Sequence, residues 1–339
     1  MKVLVIKTTS MGDVIHALPA LTDAARAIPE ISFDWVVEGS FAEIPSWHAR
    51  VDRTIPVAIR RWRKNIWQTC RSPEWRNFKK SISSRDYDCV IDAQGLLKSA
   101  WLTRYVSAAS SKKVFGLDRH SAREPLASLF YDHKIPVAKS QHAVERVRQL
   151  FAAALGYEMA GQACDYGLDP ERLPQVQERD YLVFLHGTTW PTKHWPEPYW
   201  FELAQQANRA GLRVLMPWGN DTERQRAERI AAGSDNVQVL PKSNLNRLAG
   251  YLNNAKAVVS VDTGLAHLAA ALGTPNITLY GPTDPMLVGT RGANQVHLES
   301  KSCPPFKPGQ KKNIEPEIFA PLTPEIVWQA LSLQLKPGG

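Results

Sequence analysis

The sequence predicts an α/β protein made of two Rossmann-like, doubly wound parallel sheets facing a central cleft. Three observations carry that prediction. Short apolar runs rich in β-branched residues alternate with stretches of helical spacing. The alternation occurs twice, in 1–157 and again in 180–322, with the aperiodic, Gly- and Pro-containing segment 158–179 as linker. The chain of 339 residues is long enough for two domains of ordinary size.

In the first half, KVLVIK, FDWVVE, RTIPVA, YDCVIDAQ and KVFGL read as strands. Helical spacing lies between them near 14–27, 62–83 and 97–108. HAVERVRQLFAAAL, residues 142–155, closes this half as a helix with Gly156 as its C-terminal stop. In the second half YLVFLH, LRVLMPWG, NVQVL, AVVSVD and NITLYG read as strands, with helices near 197–210, 222–232, 244–254 and 264–272. The Pro- and Lys-rich tail 302–322 reads as irregular. Thr323-Pro324-Glu325 then opens a last helix within 323–339, with Thr as N-cap and Pro at the first position.

Composition narrows the class. Hydrophobic residues make up 44% and charged residues 22%, as in a soluble globular chain. No apolar run is long enough to span a bilayer. The N-terminus lacks the features of a secretory signal, so a cytoplasmic protein is expected. Cys70, Cys89, Cys164 and Cys303 are scattered and indicate neither a disulfide framework nor a zinc site. The charge is lopsided: residues 1–157 carry 24 Lys and Arg against 15 Asp and Glu, and residues 158–339 carry 17 against 18. The first half is therefore expected to meet an anionic partner.

Several strand-end segments could carry chemistry. In KTTSMGDVIHALPAL, residues 7–21, Asp13 falls where the first strand becomes a helix. It reads either as an N-cap or as a functional carboxylate at the sheet edge where ligands bind, and the cap leaves the polar run Lys7–Ser10 unexplained. In SVDTGLAHLAAALGTPNITLYGPTDP, residues 260–285, a strand ends at Asp262, and Thr263-Gly264 turn directly into a helix whose first turn holds His267. Free amides at such a turn can hold phosphate oxygens, and Gly264 lets a ligand approach the backbone. Asp262 itself suits a hydroxyl or an amine. A capped crossover helix with a satisfied histidine explains the segment as well. HGTTWPTKHWP, residues 186–196, offers Thr188, Thr189 and Lys193 at another strand end, where a cation can stabilise a departing diphosphate. A solvated loop anchored by Trp190 and Trp195 is the plainer reading.

IRRWRK, residues 59–64, is the densest basic run. On a helix Arg60, Arg63 and Lys64 share one face and Arg61 turns aside. Arginine suits carboxylates and phosphates through its planar fork. Lys98, Arg119 and Arg123 add charge nearby in sequence. No GxxxxGK[ST] is present, and no GxGxxG follows the first strand, which argues against a P-loop NTPase and a dinucleotide-dependent oxidoreductase. No paired carboxylates of the DxD type occur in a strand-end loop, so no bound metal is required.

KTTSMGDVIHALPAL, FDWVVE, IPVAIRRWRK, DAQGLLKSA, TKHWP, PWG and the 260–285 segment, in that order, resemble the ADP-heptose:lipopolysaccharide heptosyltransferases of the GT-B type, those adding the first heptose in particular. The resemblance runs through both halves and is weakest over 302–322. It implies an acceptor-binding domain, a nucleotide-sugar-binding domain and a C-terminal helix returning to the first. It implies inverting, metal-independent transfer of L-glycero-D-manno-heptose from ADP-L-glycero-D-manno-heptose to a Kdo residue of Kdo-lipid A, with no cofactor. Asp13 then corresponds to the general base. The donor site matches Thr188, Thr189, Lys193, Glu223, Asp262, Thr263, Gly264 and His267, and Ser10, Arg60, Arg61, Arg63, Lys64 and Lys98 are assigned to the anionic acceptor. A monomer in peripheral contact with the inner membrane is expected, without nucleic acid. Three other readings compete: a second-heptose transferase, a nucleotide-sugar binding module without catalysis, and a nucleic-acid binder suggested by Trp62, Trp67 and Trp75.

Overall fold

Six strands form one parallel sheet in the first unit of the chain: β1 (Lys2–Ile6), β2 (Ser32–Glu38), β3 (Val51–Val57), β4 (Cys89–Asp92), β5 (Val114–Leu117) and β6 (His133–Ile135). Their order is β3-β2-β1-β4-β5-β6. The second unit repeats the plan with β7 (Tyr181–Leu185), β8 (Arg213–Met216), β9 (Val237–Val239), β10 (Ala257–Val261), β11 (Asn276–Tyr280) and β12 (Gln295–Glu299), ordered β12-β11-β10-β7-β8-β9. The computed structural model describes residues 1–110, 113–159, 161, 163–300 and 316–335.

The central strands are mostly apolar because helices cover both sheet faces. β1, β7, β10 and β11 are buried throughout or nearly so. In each sheet the chain first winds outward on one side and then crosses back to the other. The reversal falls between β1 and β4, and between β7 and β10. In open parallel sheets, ligands bind outside the carboxyl ends of the strands at that switch point. The loops after β1, β4, β7 and β10 are therefore the ones the fold offers for chemistry.

The structure adds two strands to the ten read from sequence. β6 is three residues with no fully buried position, and β12 is a half-exposed edge strand. The helical region near 14–27 is two helices, Met11–Ile15 and Leu18–Ala27, the second with Pro at its start. The region 62–83 is three, Ile59–Trp62, Ile66–Arg71 and Pro73–Ser83; Asn65 and Ser72 cap the latter two.

One expectation about the domains needs correction, and the segment read as linker, 158–179, is itself packed. The division falls between Arg172 and Leu173, and each side is tied to its own unit. On the first side, Leu168 bridges to His48, and the Arg172 guanidinium donates to the His48 carbonyl at 2.9 Å. Gly167, at φ +59°, lies so close to His48 and Thr22 that any side chain would collide with them. On the second side, Asn254 donates to the Val176 carbonyl at 2.8 Å. The correction concerns the last helix, Pro324–Gln334, which was expected to return to the first unit and groups with the second. Val327 and Leu331 are buried in the second unit's core with Phe319 and Leu322, and the Trp195 indole donates to the Leu322 carbonyl at 2.8 Å. Gly281 makes room for the Phe319 ring, which a Cβ there would approach to 2.9 Å. Residues 302–315 of the expected irregular tail, with Cys303, and 336–339 of the expected last helix lie outside the described residues. Among the described residues no helix is long and apolar enough to cross a membrane.

Candidate functional site

At the first switch point, the loop after β1 carries Lys7, Thr8, Thr9 and Ser10 into the helix Met11–Ile15. Asp13 is not the N-cap of that helix. Ser10 is, and Asp13 sits three residues on, folding back so that its Oδ2 accepts the Ser10 N–H at 2.8 Å and the Ser10 hydroxyl at 2.9 Å. Its Oδ1 lies 3.9 Å from the Lys7 ammonium, and the Asp13 side chain remains 38% exposed. Burial works against ionisation of Asp13. The charges of Lys7 and Arg123 and the two Ser10 bonds outweigh it, so the carboxyl is held below its ordinary range. A carboxylate that is ionised, oriented and still open to solvent can accept a proton.

The loop after β4 braces this arrangement. Gln94 Oε1 accepts the Thr8 and Thr9 amides at 3.0 and 3.1 Å. Lys7 Nζ donates to the Ala93 carbonyl at 2.9 Å. Burial lowers the Lys7 pKa, opposed by Asp13 and Asp92. Asp92, fully buried, accepts the Tyr131 hydroxyl at 2.7 Å, the Ser99 hydroxyl at 2.9 Å and the Gln94 amide at 2.9 Å. Burial nonetheless raises its pKa. Gly116 lets the Tyr131 ring in: a Cβ there would lie 2.3 Å from it. Gln94 and Asp92 were not singled out from sequence, and Lys7 only as the start of an unexplained polar run. The available signal was the polar run after an apolar strand, matched by DAQG after another.

The basic run divides as its spacing suggests. Arg61 turns away and pairs with Glu74. Arg60 and Arg63, both exposed, are close enough to Lys98 for their charges to depress its pKa, after the larger effect of burial. Lys98 Nζ donates to the Thr9 hydroxyl at 3.3 Å, which joins this cationic group to the Asp13 loop. Lys64 is exposed beside Arg63. The pairing of Arg61 with Glu74 separates it from the other assigned cations.

At the second switch point, Lys193 lies on the short turn Pro191–Lys193 after β7 and pairs with Asp262 at the end of β10. The amine expected as a partner for Asp262 is thus this chain's own lysine. Thr188 donates to the Asp262 carbonyl at 3.1 Å, and Thr189 is exposed beside it. Burial opposes ionisation of Asp262. The charges of Lys193 and His267 and hydrogen bonds from Lys193 and Thr283 prevail and lower its pKa. Thr263 is the N-cap of the helix Gly264–Ala271 and makes no side-chain bond to its free amides. His267 is buried in the first turn. Glu223 reaches the same region from the helix Asp221–Ala231, accepting the Gly219 amide at 2.7 Å and the Asn220 side chain at 2.9 Å. It packs so closely on Gly187 that a Cβ there would meet its carboxyl carbon at 2.9 Å. Sequence reasoning missed His186, fully buried at the end of β7, and the contact of His194 with Arg226. Their types and spacing carry no signal apart from the strand they follow.

The sequence pattern of glycosyltransferase family 9 (heptosyltransferase) matches residues 75–317. Lipopolysaccharide heptosyltransferase 1 of Pseudomonas aeruginosa is 56% identical, covering 99% of this chain and 98% of that protein. The enzyme of the same name from Escherichia coli K12 is 53% identical over 87% of this chain and 92% of its own length. The structure of the E. coli heptosyltransferase WaaC with ADP superimposes with a TM-score of 0.87 at 48% identity, covering 98% of this chain and all of that one.

Proposed function

The chain belongs to glycosyltransferase family 9, the heptosyltransferases, and from that premise we propose how its two switch-point loops divide the work of heptose transfer in the lipopolysaccharide inner core. The second unit takes the donor, ADP-L-glycero-D-manno-heptose. Lys193 and the amides at Thr263-Gly264 meet the diphosphate, and Glu223, Thr188 and Thr189 are placed for hydroxyls of the ribose or sugar. The first unit takes the acceptor, Kdo-lipid A. Lys98, Arg60 and Arg63 supply the cations that a Kdo carboxylate or a lipid phosphate calls for.

In the reaction the acceptor hydroxyl attacks the anomeric carbon of the heptose, and the bond from that carbon to the β-phosphate oxygen breaks with inversion. The proton goes to Asp13. A carboxylate held below its usual pKa is a weak base, but it is ionised at every working pH. It becomes competent as the carbon–oxygen bond forms and the attacking hydroxyl turns strongly acidic. The negative charge that grows on ADP falls to Lys193, whose ammonium is kept in place by Asp262. The proposed transfer needs no metal, because these groups carry the leaving-group charge.

The observation that carries this reading is Asp13, ionised and oriented beside Lys7 at the end of β1. The test is incubation with ADP-heptose and Kdo-lipid A, with and without a chelator, the product being read by mass. A single added heptose, formed equally under both conditions, is expected. Addition only to a core that already bears one heptose would make this a second-heptose transferase. Binding of ADP-heptose with neither product nor ADP release would make it a binding module. Peripheral attachment to the cytoplasmic face of the inner membrane follows from the lipid nature of the acceptor.

A further inference from the structure

A cavity of about 280 Å³ opens in the first unit. Ile59, Trp62, Trp75, Trp101 and Leu102 wall it, and its lining is almost wholly apolar. The walls are rigid aromatic packing: Trp75 stacks on Trp101 at 5.4 Å and meets Trp62 edge-on at 5.1 Å. Trp101 is nevertheless 43% exposed, so an expensive apolar surface faces solvent at this point. Two cations, Arg63 and Lys98, line the same cavity, and Arg60 acts on Lys98 through its charge. An apolar hole furnished with cations complements an anionic amphiphile.

The location narrows the occupant. Lys98 both lines the cavity and donates to the Thr9 hydroxyl at 3.3 Å, one residue before Ser10, which holds Asp13. A molecule whose anionic head reaches Lys98 therefore has its polar end at the Asp13 loop and its apolar part among the tryptophans. We propose that this cavity receives one acyl chain of the lipid acceptor while Arg63 and Lys98 hold its anionic head beside Asp13. The proposal rests on the acceptor reading given above. The volume lies at the lower limit of small-molecule pockets, about 300 Å³, which suits a single chain and not a whole lipid. Burying each methylene should tighten binding about fourfold.

The experiment uses the whole chain and n-alkyl phosphates of increasing length, below their micelle concentrations, with inorganic phosphate as the chain-free control. Cys70 is exposed and lines the cavity, so its alkylation by iodoacetamide, mapped by mass, reports occupancy; tryptophan fluorescence is a second signal. Half-saturation should fall about fourfold per added methylene and then level off once the cavity is full. Trp101→Glu should weaken long-chain binding at least tenfold. Leu129→Glu, at a position 72% exposed and outside the lining, should not. Cys70→Phe, which plugs the cavity from an exposed position, gives the same answer by fluorescence if Trp101→Glu folds poorly. In turnover, Trp101→Glu should raise the KM ratio of acylated over deacylated acceptor tenfold or more. Binding independent of chain length, or equal weakening by Trp101→Glu and Leu129→Glu, overturns the proposal. Absence of turnover in the wild type with either acceptor would instead count against the heptosyl-transfer reading, and the alkyl-phosphate series would still decide this one.

Discussion

Replacing Asp13 by Asn separates its structural role from its chemical one. Asn can still accept the Ser10 amide, and Asn and Asp are comparable at helix starts, so little of the local hydrogen bonding is lost. What disappears is the charge. At 3.9 Å, the attraction between Asp13 and Lys7 amounts to about 1 kcal/mol with water-like screening and about 4 kcal/mol with the screening found near a protein surface. The 38% exposure of the Asp13 side chain places it toward the lower figure. Asp13→Asn is therefore expected to destabilise the first unit by about 1 kcal/mol, read by urea unfolding. Loss of a general base is a different scale, a factor of about a hundred to ten thousand in kcat, or about 3–5 kcal/mol. The assay is ADP release under saturating ADP-heptose and acceptor, beside calorimetric binding of ADP-heptose alone. Donor binding should be unchanged and turnover should fall at least a hundredfold; Asp13→Ala should behave alike in both respects. Turnover within tenfold of wild type, or a rate loss no larger than the stability loss, would reduce Asp13 to a helix-start residue.

Three further outcomes follow from the same geometry. Lys193→Met leaves Asp262 buried without its cation and should destabilise the second unit by about 3 kcal/mol, whereas Lys193→Met with Asp262→Asn should regain most of that stability but not the turnover, a contrast checked by unfolding and kinetics on both variants. Gly116→Ala drives a methyl into the Tyr131 ring and should lower stability by about 1–3 kcal/mol while disturbing the Asp92 network, seen as faster amide exchange at Thr8 and Thr9. His48 and His186, one in each unit, are both pushed down to about 4 by burial, so each is neutral in the fold and gains its proton first in the unfolded chain. Their stabilising contribution is present above pH 6.5 and lost as pH falls towards 4, by up to about 3 kcal/mol each, and His48→Gln or His186→Gln should flatten the pH dependence of unfolding for its own unit.

What could be read from the sequence was what depends on burial and periodicity. The central strands announced themselves because both faces are covered, and the loops that follow β1, β7 and β10 were found because they end those strands. β6 and β12 were missed for the converse reason: at a sheet edge, half-exposed residues such as those of Gln295–Glu299 show neither an apolar run nor clean alternation. The last helix was placed on the wrong unit because its apolar residues show that it packs without showing where; its site is set by Phe319 and Leu322, which enter the second core just before it. The role of Asp13 as a side chain folded back onto Ser10, not a cap, follows from a shift of three positions in the helix start, within the uncertainty of any boundary read from spacing. Gln94 and Asp92 were illegible for a deeper reason. Their partners, Thr8, Thr9 and Tyr131, are 39–86 positions away in sequence and meet them only once the sheet has formed.

The two sheets share one strand order, and the difference between the chemistries proposed for them comes down to how each buries its lysine. At the first switch point Lys7 is deep in the sheet edge, 8% exposed, and its ammonium is partly satisfied by the Ala93 carbonyl. It can bias Asp13 without neutralising it, because at 3.9 Å no direct hydrogen bond forms and the carboxylate keeps its open face. At the second, Lys193 is on the short turn after β7, 21% exposed, and contacts Asp262 directly. There the carboxylate is the buried partner, at 9% exposure, and the lysine is the one that faces outward. The same pair of residue types is thus inverted: in one unit a buried cation lies beside an accessible carboxylate, and in the other a buried carboxylate lies beside a more accessible cation. The proposed transfer uses that inversion, the accessible carboxylate to accept a proton and the accessible cation to stabilise a departing diphosphate; a chain in which both pairs had the same orientation would lack one of the two.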